Sequence, residues 1–309
     1  MSLRYNQVQC FTMKKFIEFQ AQIGKLKHLK RTGWVVRQVP HPETVAAHSW
    51  RMAFMAICKA PAIKRMGADL DYVIRLCLLH DVGEAVVGDI IPPAHQTGAQ
   101  KISAAMKKRI EKEAICALAK TYDFPQLKSA FYEYEAQKTP EARIVRNLDK
   151  VDMLLQAYEY SVAYPALDRL GEFLRYNEKD VTLPLFEADV REIKARQLDQ
   201  KKHKNTFIEA SLRAGRVKHQ PYNPTKAAIP DYDTVAAHLF RSALIAICLD
   251  APAALIRAII VADKRRTEPV LETLENLLQA YEYTQLYPDN KELITYLQTT
   301  MEQITCYKK

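Results

Sequence analysis

The sequence contains little glycine, few prolines inside its periodic segments and no long apolar run. Glycine accounts for only 8 of the 309 residues and proline for 15. Alanine, leucine, lysine, glutamate and arginine dominate, whereas alternating valine and threonine are rare. This composition argues against a sheet and predicts an all-α protein. Because 48% of the residues are hydrophobic, the chain can bury a sizeable core.

The six cysteines are scattered and form no CxxC pair. Their distribution predicts reduced, mostly buried thiols in a cytosolic protein. No apolar run reaches the roughly 20 residues that a membrane-spanning helix needs, and the N-terminus has no apolar region typical of a signal peptide. We therefore expect a cytoplasmic protein that does not bind membranes.

Acidic residues are in the minority, and the formal net charge is +9. A basic surface can attract either nucleic acid or a small phosphorylated substrate. The sequence has no helix-turn-helix signature, RNP motif or zinc-finger spacing. Nucleic-acid binding is therefore not expected, and a phosphorylated small molecule is the favoured partner.

Periodicity and start signals predict a series of helices joined by short loops. Thr44, Asp69 and Thr139 are expected to cap helices, with Pro140 at a first helical position. Residues 30–37 are expected to form a loop. The predicted helices cover approximately residues 7–27, 44–59, 70–79, 99–121, 126–136, 139–160, 166–176 and 186–200, and Met106 is expected to face inward.

The most informative stretch is an apolar run that ends in His80 and Asp81. Burying a charge is costly unless the charge is paired or bound to a metal, and both residue types are common ligands of divalent ions. His48 shares one face of its predicted helix with apolar side chains, and Asp149 lies in another helix. A lone inward histidine is usually a satisfied core residue, so the metal interpretation requires these four side chains to converge.

The sequence repeats itself in its last third. Several strings recur in the same order, which indicates an internal duplication and divides the chain into residues 1–200 and 201–309. The matching segments are Phe16–Glu18 with Phe207–Glu209, Lys27–His28 with Lys218–His219, Thr44–His48 with Thr234–His238, and Leu154–Tyr160 with Leu277–Tyr283.

The second copy has lost residues that make the first copy chemically interesting. Ala262 occupies the position of His80, and Glu272 occupies that of Asp149. Most of the segment between the last two candidate ligands is also missing. We interpret the second copy as a degenerate half that kept its packing and lost its chemistry; a rebuilt second metal site is the alternative.

The pattern H…HD…D at His48, His80–Asp81 and Asp149 resembles that of the HD-domain metal-dependent phosphohydrolases. The flanking segments make the chain most similar to the HD-domain 5′-deoxynucleotidases, including the HD-domain-containing protein 2 group, over roughly residues 14–200. One departure is Ala47, where this family usually has an acid. The supporting segments are Arg31–Trp34, Glu43–Ala53, His80–Glu84, Val87–Ile90, Thr139–Arg143 and Leu148–Lys150.

The resemblance implies an HD-domain helical bundle that holds one divalent ion, with Mn²⁺, Co²⁺, Fe²⁺, Ni²⁺ and Zn²⁺ all compatible. It assigns catalytic roles to Asp81 and Glu84, and it makes Asp89 the candidate contact for a sugar hydroxyl. Trp34 would shape the sugar and base pocket, unless it covers the edge of the core. The implied metal ligands are His48, His80, Asp81 and Asp149, and the implied phosphate-binding residues are Arg31, Arg37, Arg146 and Lys150, the last two of which are alternatively ordinary helix-surface charges.

The resemblance therefore predicts a metal-dependent phosphomonoesterase that acts on nucleoside 5′-monophosphates, in particular deoxyribonucleotides. One alternative is a hydrolase of another phosphorylated small molecule or of a nucleotide di- or triphosphate. Another is a non-catalytic, metal-stabilised scaffold. We expect either a monomer whose halves pack as a pseudo-dimer, pairing residues 44–58 with 234–248 and 148–164 with 271–287, or a homodimer.

Overall fold

The computed structural model describes residues 13–91, 96, 101–167, 170, 178–199, 205–222 and 233–261, together with 275–276, 278–279, 291 and 295. Within these residues the regular structure is almost entirely helical. The sheet found there is a two-stranded antiparallel ribbon in which β1 (Pro221–Tyr222) pairs with β2 (Asp233–Thr234). The all-α prediction is confirmed.

The first repeat contributes the helices that surround the candidate site, and the second repeat adds a smaller set. Short 3₁₀ turns at Lys25–Lys27, Glu178–Asp180 and Pro184–Phe186 complete the described helical structure. The helices are α1 (Met13–Gly24), α2 (Thr32–Val35), α3 (Val45–Cys58), α4 (Ala60–Arg65), α5 (Leu70–Leu79), α6 (Glu84–Val87), α7 (Ala104–Thr121), α8 (Pro125–Ala136), α9 (Pro140–Ala163), α10 (Glu187–Asp199), α11 (Thr206–Val217), α12 (Val235–Cys248) and α13 (Ala253–Ile260).

Helix starts follow the predicted capping residues. The hydroxyl of Thr44 accepts a hydrogen bond from the Ala47 amide at the start of α3, and Asp69 and Thr139 cap α5 and α9 in the same manner. These caps satisfy backbone amides that have no partner inside the helix. Predictions for residues 7–12 and 171–176 lie outside the described residues.

Two local predictions were wrong. The predicted loop 30–37 contains the helical turn α2, which is held in place by hydrogen bonds from Thr32 to Asp89, distant in the sequence. Met106 was predicted to face inward, but it is 39% exposed. The reason is that α7 packs through its later turns, where Ile115 and Leu118 are buried.

The core forms where α3, α5 and α9 pack together, and the second repeat covers the remaining side of α3. Helices α11, α12 and α13 all contact α3, and α12 also contacts α1. The indole nitrogen of Trp50 in α3 donates a hydrogen bond to the Ile260 carbonyl in α13, at 3.1 Å. In the part of the chain that the structure describes, no helix is long and apolar enough to cross a membrane.

Candidate metal centre and substrate cleft

Two buried histidines present the same ring nitrogen to one site. His48 lies on α3 and is fully buried, whereas His80 follows the last turn of α5. The Nδ1 of His48 lies 2.6 Å from Oδ2 of Asp152, and that of His80 lies 2.8 Å from the Cys77 carbonyl. Both acceptors lack a proton of their own, so we assign the ring proton to Nδ1 in each histidine. The Nε2 atoms both face the cluster, and neither makes a hydrogen bond.

Two aspartates complete this cluster. Oδ2 of Asp81 lies 3.1 Å from Nε2 of His80, and Oδ1 of Asp149 lies 3.4 Å from Nε2 of His48. The ligand atoms of His48, His80 and Asp81 all lie within 4.8 Å of one another. Buried, unpartnered imidazole nitrogens beside two carboxylates are a donor set that suits a divalent transition metal. The residues present therefore fit the ion that the sequence pattern implies.

The electrostatic surroundings keep both aspartates ionised. Burial alone would raise the pKa of Asp81, but His80 and Arg31 outweigh it and hold the pKa below its usual value. Burial likewise opposes ionisation of Asp149, whose pKa is nevertheless lowered well below normal by Lys150 and His48. The site therefore offers negative oxygen ligands near neutral pH.

A second group of close ligand atoms surrounds the opposite nitrogen of His48. It comprises Glu43, Nδ1 of His48 and Asp152. Side-chain cations already neutralise these carboxylates, because Arg51 donates to Asp152 and Lys218 donates to both Glu43 and Asp152. The first cluster, whose histidine nitrogens have no partner, is therefore the better metal site.

Glu84 opens α6 beside the metal cluster. The side chain is buried, and its Oε2 makes no hydrogen bond. Burial, together with the nearby carboxylates of Asp81 and Asp89, raises the pKa of Glu84 well above its usual value. A carboxyl group with a raised pKa next to a charged site is suited to holding and transferring a proton.

Arg31 lies over the two aspartates. Its Nη1 is 3.4 Å from Asp81 and its Nη2 is 3.9 Å from Asp149. Burial would lower the pKa of Arg31, but the carboxylates of Asp89, Asp149 and Asp81 raise it above its ordinary value. The guanidinium is thus a permanent positive charge directly above the candidate metal ligands.

Asp89 and Trp34 are both engaged within the protein. Oδ2 of Asp89 accepts the Thr32 amide at 2.6 Å. Trp34 is 2% exposed, donates its indole N–H to Glu43 at 3.0 Å and packs edge-to-face on Tyr160. Trp34 therefore covers the edge of the core, as the alternative interpretation held, while one side of it still borders the cleft.

The cluster opens into a cleft of about 630 Å³. Lys150 forms an ion pair with Asp149 at 2.9 Å. Arg146 donates to the Tyr134 hydroxyl at 3.4 Å. The guanidinium of Arg37 donates to the Gly33 carbonyl. The cleft thus brings acidic and basic side chains together. The predicted residues that line it are Arg31, Trp34, Arg37, His80, Asp81, Glu84, Asp89, Arg146, Asp149 and Lys150, whereas His48 lies behind them.

Comparison with protein families identifies the family of this chain. Residues 23–184 match the family model described as an HD domain. The chain belongs to the HD-domain family.

Relatives of the HD domain carry a consistent name. The chain is 42% identical over 155 residues to the 5′-deoxynucleotidase HDDC2 of Dictyostelium discoideum, covering 48% of this chain and 78% of that protein. It is 35% identical over 164 residues to the Danio rerio protein of the same name, covering 52% and 77% respectively. A conserved hypothetical protein of known structure from Pyrococcus furiosus is 30% identical, with a TM-score of 0.47, covering 58% of this chain and 99% of that chain.

Sequence reasoning missed the residues that surround the HD-domain histidines. No role was predicted for Asp152, or for Tyr134, which packs edge-to-face on His80. A signal for Asp152 was available, because it follows Asp149 by three positions and so lies on nearly the same helix face. The repeat also keeps an acid at the equivalent position, Glu275.

Proposed function

We propose that the HD domain is a divalent-metal-dependent phosphomonoesterase that hydrolyses deoxynucleoside 5′-monophosphates to nucleoside and phosphate. The observation that carries the proposal is the pair of buried, unpartnered Nε2 atoms of His48 and His80 beside two ionised aspartates. The name 5′-deoxynucleotidase, shared by relatives that the chain matches over about three quarters of their length, supports the substrate class.

His48, His80, Asp81 and Asp149 would hold one ion. When bound, the ion would lower the pKa of a coordinated water and polarise a phosphate oxygen, which makes attack on phosphorus possible near neutral pH. The residues of the chain orient this chemistry. Asp152 and the Cys77 carbonyl fix the two imidazole rings with Nε2 facing the site.

The residues around the cluster suit the remaining tasks. Glu84 lines the same cleft as Asp81, where it would orient the attacking water or take its proton, and its raised pKa favours the proton-bound form once transfer has occurred. Arg31 and Lys150 would neutralise phosphate charge. Asp89 uses one carboxylate oxygen for Thr32, and its other oxygen would accept a sugar hydroxyl.

The test is phosphate release from a panel of nucleotides by the purified full chain, with Mn²⁺ or Co²⁺ added. We expect turnover of deoxynucleoside 5′-monophosphates in preference to 3′-monophosphates and triphosphates. Asp81→Ala should abolish this turnover, because it removes a ligand carboxylate. No release from any 5′-monophosphate, or undiminished release by Asp81→Ala, would refute the proposal.

A further inference from the structure

The metal ligand His48 is supported by a residue from the other repeat. Lys218, at the end of α11, is 1% exposed. Its ammonium group donates to Glu43, to Oδ2 of Asp152 at 3.2 Å and to Gln156 at 3.1 Å. The same Asp152 oxygen receives Nδ1 of His48 at 2.6 Å. Lys218 is therefore one hydrogen bond removed from the ligand ring.

The charge balance of this buried network depends on Lys218. Asp152 and Glu43 are both almost completely buried, and the only other cation that directly contacts Asp152 among the described residues is Arg51. Burial would raise the pKa of Glu43, but Lys218 lowers it below its usual value. A buried carboxylate that loses its partner tends to move or to recruit water. Without Lys218, Arg51 would still hold Oδ1 of Asp152, but Oδ2, the oxygen that contacts His48, would lose its lysine donor.

The second repeat contains the reciprocal arrangement. Lys27 of the first repeat lies between Asp233 and Glu275, and it donates to Glu275 at 2.9 Å. Glu275 also lies 2.5 Å from Nδ1 of His238 and accepts from Arg241 at 2.9 Å. By the repeat alignment, Lys27, Asp233, Glu275, His238 and Arg241 correspond to the lysine, acids, histidine and arginine of the first network.

Each repeat thus inserts its lysine into the histidine network of the other. The helix contacts are reciprocal in the same way: α11 of the second repeat packs on α3 of the first, and α1 of the first repeat packs on α12 of the second. Reciprocal contacts of this kind define a two-fold interface between like units. Among the described residues, metal-ligating partners lie on the other side of the histidine in the first network, whereas no three His, Cys, Asp or Glu side chains converge in the described part of the second repeat.

We propose that Lys218 is a positioning residue for the metal ligand His48, and that the second repeat serves as a built-in partner subunit that completes the metal site of the first. This inference rests on the proposed metal site. The degenerate repeat then has a function that needs no metal ligand of its own. Its Lys218 holds Asp152, and Asp152 holds the imidazole of His48.

Lys218→Met and Lys27→Met form a matched pair for the test, because each removes one buried lysine from one of the two symmetrical networks. Both full-length variants should be less stable to heat than the wild type. Only Lys218→Met should bind Co²⁺ more weakly, by about 10-fold or more, as expected when a group that orients a ligand is lost. The visible absorption of bound Co²⁺ should change in Lys218→Met and stay constant in Lys27→Met.

Two outcomes would overturn the inference: Co²⁺ affinity and spectrum of Lys218→Met equal to those of the wild type, or an equal loss of affinity in Lys27→Met. Should Lys218→Met not fold, Glu43→Gln combined with Lys218→Met removes both members of the ion pair, and the same affinity loss is expected. Failure of the proposed activity is distinguishable from failure of this inference. In that case Co²⁺ would still bind in a Lys218-dependent manner, but no nucleotide would release phosphate.

Discussion

Glu84 shows how a single buried carboxyl group connects stability with activity. Its side chain is 7% exposed, and burial with Asp81 and Asp89 raises its pKa. A raised folded-state pKa for an acid means that its contribution to stability is complete below the unfolded-state pKa and is lost as pH rises towards the folded-state pKa. The protein therefore keeps a group at the site that destabilises the metal-free fold at neutral pH.

We predict that Glu84→Gln stabilises the metal-free protein and lowers phosphate release at least 100-fold. The gain in unfolding free energy over wild type should be small near pH 4.5 and should grow by up to about 1.4 kcal/mol per pH unit above it, until it levels off at the pKa of folded Glu84. Urea unfolding of chelator-treated protein from pH 5 to 8 measures this. A gain that is constant or shrinks with pH would contradict the assignment.

The sequence predicted which residues lie at the candidate site, but not how they are held. The inward direction of His48 followed from helical spacing, and the pair His80–Asp81 followed from the apolar run before it. The position of Asp152 behind His48 and the arrival of Lys218 from the second repeat could not be read from spacing. These contacts join residues that are 104 and 66 positions apart, so tertiary packing decides them.

Helix α11 packs against α3 and α9, and Gly215 lies at this contact. A Cβ atom at this position would collide with the carboxylate of Glu159 and come close to the guanidinium of Arg51. These two side chains pair at 2.5 Å, so a shift of the Glu159 carboxylate away from an added Cβ would disturb the ion pair. The absence of a side chain at Gly215 thus sets how tightly the second repeat packs on the first.

We predict that Gly215→Ala destabilises the full chain by about 1–3 kcal/mol through overpacking, despite the higher helix propensity of alanine. Gly33→Ala is the matched control, because the added Cβ meets nothing within 4 Å and Gly33 also lies in a helical turn. Urea unfolding measures both variants. Equal stability of the two variants would show that α11 is not closely packed at this point.

Among the elements, helix starts were predictable and the small turn α2 was not. Thr44, Asp69 and Thr139 are local signals, and the helices begin where these residues place them. Helix α2 depends on Asp89, which accepts the Thr32 amide from a segment 57 residues away. The loop-like composition of residues 30–37 therefore predicted the wrong local structure, because the distant Asp89 carboxylate binds the first amide of α2.

The sequence carries two copies of one pattern, and among the described residues the cluster best suited to a metal ion lies in the first copy. The repeat was visible in the sequence, and so was the substitution of His80 by Ala262 in the second copy. Ala262 and Glu272 lie outside the described residues. The reciprocal placement of Lys27 and Lys218 was not predictable, because identical strings indicate a repeat but not how its two copies pack.

The proposed site binds one catalytic ion for each chain of two repeats. The direct measurement is titration of the chelator-treated full chain with Mn²⁺ or Co²⁺, following bound metal and release of phosphate from a deoxynucleoside 5′-monophosphate together. We predict no activity before metal is added and a rise that reaches its plateau at one ion per chain. Full activity in the metal-free protein, or a plateau only at two ions per chain, would contradict the account.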